Sequence, residues 1–338
     1  MLYQHKKLAV KKALQLFDSV ISSIILYAVE FWLPFIISKK GLNSFEGLMK
    51  FWGNFQPEIL NQKMCRMLLS VHKKSSRLAV LGELGRYPVL LPAIKLCVKY
   101  QYSLEFVEKN SLIYKAVNDM KSTPQMDSWY SRIEKIKSYF QIKQLNGKPK
   151  KVGNLIEKTV NSKFDRYFLE EINKVNLGAD GSDHNKLRLY KHFKGSFTPE
   201  PYLSLVKNRN QRAWLSRYRI SAHNLRIESG RYTLPVTPVA QRVCVYCSSG
   251  ECDNELHAIL KCETFKLKRQ CFLSRMSAMC PNLSSLTDEQ QLTTLLCPVS
   301  AESAKCVSKY LGILSTTRKE IDLGLKPSDL QLYIEHKA

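Results

Sequence analysis

The sequence predicts a mainly α-helical fold: a helical array followed by a basic helical block that carries a small CCHC zinc module. Three observations predict it. Apolar residues recur at helical three-and-four spacing over most of the chain. No segment shows sustained period-two alternation, no β-branched run sits between turn signals, and no unit repeats at fixed period. A single group of cysteines and a histidine with metal-ligand spacing stands late in the chain.

Residues 6–37 place Leu8, Ala13, Leu16, Phe17, Val20, Ile24 and Tyr27 at helical spacing, which predicts one long buried helix ended by Pro34. The same periodicity covers 60–71, and a basic, hydroxyl-rich loop at 72–77 separates it from a helix at 78–84. Pro88 and Pro92 open a helix running to 107, and shorter helices are predicted at 110–121 and 127–140. These form a first region, 1–140. From 141 to 200, Gly147, Pro149, Gly153, Gly178, Gly181 and Gly195 punctuate a Lys- and Asn-rich stretch that reads as a linker with one helix at about 154–174. A third region, 201–322, begins with a helix at 202–218, passes through a cysteine-rich module at about 240–265, and closes on paired helices. Residues 323–338 read as a frayed tail.

The chain has 338 residues and is 44% hydrophobic, enough for real cores. Fifty-two Lys and Arg face 29 Asp and Glu, a formal net charge of +23, which points to a polyanionic partner. Nucleic acid leads because the cations run through the whole chain, interleaved with Tyr, Trp and Phe, where a membrane anchor would gather them at one end. The N-terminus lacks a small-residue cleavage site, and the apolar segment 19–29 is far shorter than the roughly 20 residues needed to span a bilayer. No membrane role is predicted. Six of ten cysteines (Cys65, Cys97, Cys271, Cys280, Cys297, Cys306) stand singly in helical surroundings, as reduced thiols do. An intracellular protein, nuclear or cytoplasmic and not secreted, is expected.

Cys244, Cys247, His257 and Cys262 are spaced C-x2-C-x9-H-x4-C. Zinc takes four thiolate or imidazole ligands tetrahedrally, and a C-x2-C turn sets two thiolates on one side of the ion. Asp253 reads as the N-cap of a short helix that brings in His257 and Cys262. Cys252 stands as an alternative ligand to His257. Four protein ligands leave no open position, so one structural zinc is expected, contributing folding energy.

Just before it, residues 207–231 are the most basic aromatic stretch. Lys207, Arg209, Arg212, Arg217, Arg219, Arg226 and Arg231 face one acid, Glu228, with Trp214, Tyr218 and His223 interleaved. Arginine forks suit phosphates and flat rings suit unstacked bases, so these residues are candidates for binding RNA or single-stranded DNA. Trp214, Leu215 and Tyr218 suit a core equally well. The sequence contains no Asp-Asp pair, no phosphate-binding glycine loop, and no zinc-protease or serine-hydrolase motif, so no enzyme is predicted. His72 beside Lys73 and Lys74 reads as an isolated surface group.

Three segments together, LFDSVISSIILYAVEFW (16–32), MCRMLLSVHKKSSRLAVLGELGRYPV (64–89) and LSRYRISAHNLRIESGRYTLPVTPVAQRVCVYC (215–247) with the closing HAILKC, resemble the C-terminal region of LINE-type, non-LTR retrotransposon reverse transcriptases. The resemblance covers nearly the whole chain and implies that 1–140 is thumb-like. It implies that Cys244, Cys247, His257 and Cys262 match the family's CCHC ligands, and that Arg217, Arg219, His223, Asn224, Arg226, Arg231 and Tyr232 match the basic stretch before them. The family's catalytic aspartates, fingers and endonuclease have no counterpart here, so the expectation is a nucleic-acid grip without the polymerase centre. A palm-containing reverse transcriptase chain is the further partner the resemblance implies.

Overall fold

A computed structural model of the chain describes residues 9–39, 42, 44–123, 127–143, 145–147, 149–177 and 184–324. It is mainly α-helical, and no strand is present among the described residues; Val243 and Cys252 form one isolated antiparallel bridge. The tail expected at 323–338 lies outside the described residues from 325 onward, as do Gly178 and Gly181.

Many of the helices begin where hydroxyl or amide side chains occupy their N-caps. α1 (Val10–Phe17) continues through a π-type turn, Asp18–Ser22, into Ser23–Ile25, and α2 spans Val29–Lys39. Ser44 accepts from the Gly47 amide at the start of α3 (Phe45–Trp52), and α4 (Gln56–Leu69) carries Pro57 in its first turn. Ser76, Ser111 and Ser128 cap α5 (Arg77–Leu84), α7 (Leu112–Ser122) and α8 (Trp129–Phe140) in the same way, with α6 (Leu90–Ser103) between. α9 is Pro149–Asn173. Asn208 caps α10 (Arg209–Arg219); α11 is Lys266–Met279; and capping boxes at Thr287 and Ser300 open α12 (Asp288–Leu296) and α13 (Ala301–Asp322).

α6 is the hub of the first region: Leu90, Leu91, Ala93, Ile94, Cys97 and Val98 are buried, and the helix packs between α2 and α9. α9 meets it with Val152, Ile156, Val160, Phe164, Phe168 and Ile172, one buried residue every fourth position. The segment that reads as a linker is therefore, over α9, part of the core. In the third region α10 lies on α13, and α11 packs on the same helix.

Two expectations at the element level are corrected. The single long helix over 6–37 is broken at Ala28, whose φ is 51°, and the two halves are bent by 70°. Pro34 lies inside α2, where it is tolerated because the carbonyl it orphans, that of Glu30, accepts from Trp129 Nε1 at 2.7 Å. The buried apolar side chains include Val10, Ala13 and Phe17, then Val29, Leu33 and Ile37; Leu16, Val20, Ile24 and Tyr27 are exposed. The helix over 202–218 is likewise two pieces, Tyr202–Leu205 and α10, separated where Asn208 begins a new cap. Among the described residues no single helix is long and apolar enough to cross a membrane; the bent pair α1–α2 meets that length and composition only when its halves are joined.

Candidate metal centre and nucleic-acid interface

The metal-ligand residues are assembled by a hairpin followed by a helical turn. The Cys244 amide donates to the Glu251 carbonyl at 2.8 Å and the Asp253 amide to the Arg242 carbonyl at 2.9 Å, so 242–244 and 251–253 run side by side. Gly250, with φ +70°, makes the left-handed turn between them that other residues adopt at a cost. The Asn254 side chain then accepts from the His257 amide at 2.9 Å, which makes Asn254, and not Asp253, the cap of the turn carrying His257. The Asp253 carboxylate is instead turned to the Arg318 guanidinium.

Cys244, Cys247, His257 and Cys262 bring one ligand atom each to within 4.8 Å of one another. Cys244 and Cys262 Sγ are 3.9 Å apart, and Cys247 Sγ is 3.4 Å from His257 Nε2. Zinc–sulfur bonds of about 2.3 Å at tetrahedral angles separate two sulfurs by about 3.8 Å, so the four residues are close enough to hold one metal ion. Cys252 is not among them: it sits in the bridge to Val243, on the neighbouring strand segment, and the cluster takes the histidine. His257 Nδ1 lies 2.8 Å from Glu251 Oε2, leaving Nε2 to face the thiols. Glu251 was not legible as a site residue, because an acid six positions before a histidine carries no distinctive signal.

The thiols are not equivalent. Burial opposes the Cys247 thiolate, but hydrogen bonds from Ser249, through hydroxyl and amide, and from the Cys244 and Cys262 thiols bring it down to about 6. Burial and the neighbouring thiolates push Cys262 up to about 12. Cys247 is thus the thiol that offers a charged sulfur first.

The basic stretch divides into buried and surface groups. Arg219 is 1% exposed and lies between the carboxylates of Glu83 (Nε–Oε2 2.9 Å) and Glu200. His223 Nε2 is 2.9 Å from Glu255 Oε1. Arg212 is buried, with Nη1 donating to the Val206 carbonyl, and the buried Tyr218 shares a hydrogen bond with Ser315. These four, expected as nucleic-acid contacts, are buried in the core, where each already has an internal hydrogen-bond partner. Arg231 reaches Glu228 at 3.0 Å, while the half-buried Arg226 and the exposed Lys207 remain at the surface.

Arg209 and Arg217 turn toward the loop after α4. Arg209 donates to Ser70 Oγ and the Met67 carbonyl, and Arg217 Nε donates to the Ser70 carbonyl at 3.0 Å with its guanidinium 4.6 Å from the Trp214 ring centre. Beside them, Lys186 Nζ donates to the Lys74 carbonyl and the Tyr232 hydroxyl, each at 3.1 Å. Lys74 Nζ stands 3.9 Å above the Tyr232 ring centre. Burial lowers the His72 pKa, and Lys186, Lys74, Arg217 and His223 lower it further. The loop that reads as isolated surface thus meets residues more than a hundred positions away. Family models, curated proteins and solved structures were all compared with the chain, and none matches.

Proposed function

We propose that the chain binds single-stranded nucleic acid, RNA or DNA, as a thumb-like helical array joined to a zinc-braced basic block, in the manner of the C-terminal region of non-LTR retrotransposon reverse transcriptases. The observation that carries this reading is where the positive charge sits. Buried and half-buried arginines meet carboxylates or carbonyls: Arg219 with Glu83 and Glu200, Arg188 with Glu228 and Glu255, Arg318 with Asp253, Arg242 with the Ile227 carbonyl. Acids are consumed there about as fast as bases, so most of the surplus of +23 is borne outside the core.

In this reading the metal is zinc. Three thiolates with one imidazole favour it, and four protein ligands make it a folding element. No turnover belongs to this function, and a palm-containing polymerase chain is the partner it would serve. The test is zinc content of the purified chain together with binding of a fluorescent single-stranded RNA across a salt series. One equivalent of zinc, with affinity falling linearly in log salt, supports the reading. Salt-independent association with a protein partner and no RNA binding would replace it with a zinc-braced scaffold.

A further inference from the structure

We infer that Lys74, Lys186 and Arg217, gathered around His72 and Tyr232, form a seat for the phosphodiester backbone of a single strand. The inference rests on the nucleic-acid reading above and gives it an address. Three separate parts of the chain supply the seat: the loop after α4, the segment just before the 3-10 turn Tyr190–His192, and α10 with the residues that follow it.

Like charges are costly to hold together unless something between them is negative. Lys74 and Lys186 both lie over the same ring, at 3.9 and 5.6 Å from the Tyr232 centre, and all three cations act on His72 strongly enough to lower its pKa. Among the described residues none of the three forms an ion pair with a carboxylate; the acceptors they have are the Lys74 and Ser70 carbonyls and the Tyr232 hydroxyl. Arg188, Arg219 and Arg318, by contrast, each meet a carboxylate. A cationic cluster braced by ring faces and carbonyls, with no acid, is complementary to an anion supplied from outside.

The groups are also held in place. Arg217 is fixed by Trp214 and by its Nε bond to Ser70, which leaves its two terminal nitrogens without a hydrogen-bond partner among the described residues. Trp214 in turn abuts Gly312 of α13, where a Cβ would come within 3.0 Å of the indole. A fixed guanidinium edge and two flanking ammoniums match successive phosphates better than a single small anion, because the three charges come from separate parts of the chain and do not converge on one point. Tyr232, 42% exposed, supplies the ring over which the two lysines lie.

The full zinc-loaded chain tests this with labelled oligouridylate and oligothymidylate, each titrated at several salt concentrations. The double substitution Lys74→Gln with Lys186→Gln is compared with Lys115→Gln and Lys121→Gln, two exposed lysines of α7 that remove the same charge. The seat predicts affinity lower on the order of tenfold, and a log–log salt slope reduced by about 1.4, in the first variant alone. Equal losses in both variants overturn the seat and leave only diffuse charge. Failure of the unsubstituted chain to bind either strand overturns the functional reading itself, a separate result. A slope change with both strands assigns the seat to the shared phosphodiester, and a change with one assigns it to that strand. Unchanged zinc content and circular dichroism verify folding; Arg217→Gln provides a second variant with the same expected direction.

Discussion

Glu251 holds the His257 ring from behind, at 2.8 Å from Nδ1, and thereby presents Nε2 to the three thiols. Carboxylates in this position fix the tautomer and raise the basicity of a ligating imidazole. Glu251→Gln is therefore expected to weaken metal binding about 10–100-fold, read by competition with a chromophoric chelator. Retained affinity would show that the carboxylate merely borders the site. Cys247→Ser removes a ligand outright, so residues 240–265 should become protease-sensitive while the helices of the first region stay protected. At Arg219 the consequence is for stability. Replacing it with Met leaves Glu83, buried with 0% side-chain exposure, without its cation, and Glu200 with Lys194 alone. A loss of about 3–5 kcal/mol in urea unfolding is expected.

At the scale of the element, propensity and packing disagree at Gly82. An alanine there improves the intrinsic propensity of α5 by about 1 kcal/mol. Its Cβ, however, would lie 2.6 Å from the Phe168 ring and 2.8 Å from the Tyr190 hydroxyl, both on fully buried side chains. Overpacking costs typically ~1–3 kcal/mol, so Gly82→Ala is expected to be destabilising overall, with a lower thermal midpoint. A raised midpoint would mean that α9 can shift away from α5. The periodicity of α4, α6, α8 and α9 was legible because each of these helices buries a stripe of its own surface. Pro34 was misleading for a physical reason: a proline ends a helix unless another group satisfies the carbonyl it orphans, and Trp129, 95 residues on, does so.

At the scale of the molecule, charged groups join the regions. Arg219 of α10 reaches Glu83 of α5, Arg209 and Arg217 reach the loop after α4, and Arg188 spans Glu228 and Glu255. Burial alone would raise the Glu255 pKa, but the Arg188 guanidinium and the His223 hydrogen bond hold it well below the usual carboxylate range. A depressed folded-state pKa contributes stability above the unfolded value near 4.5 and loses it as pH falls through the folded one. The chain should therefore lose stability progressively below about pH 4.5. The difference between it and Glu255→Gln, measured by thermal midpoints, should shrink over the same interval. A constant difference would remove the carboxylate's charge from the explanation.

The sequence by itself determined the helical class, most helix positions and three of the four candidate metal ligands, Cys244, Cys247 and Cys262, because these depend on spacing along a few turns of chain. It left Cys252 and His257 as rivals, and the hairpin decided between them by joining Cys252 to Val243 while the next turn carried His257 inward. Which cations face solvent was decided only in three dimensions. Arg217 and Arg219 stand two apart in one helix, yet one lies on the surface loop after α4 and the other is enclosed with Glu83. Residues two apart on a helix point about 200° away from each other, and only the neighbours packed around that helix determine which direction is the interior.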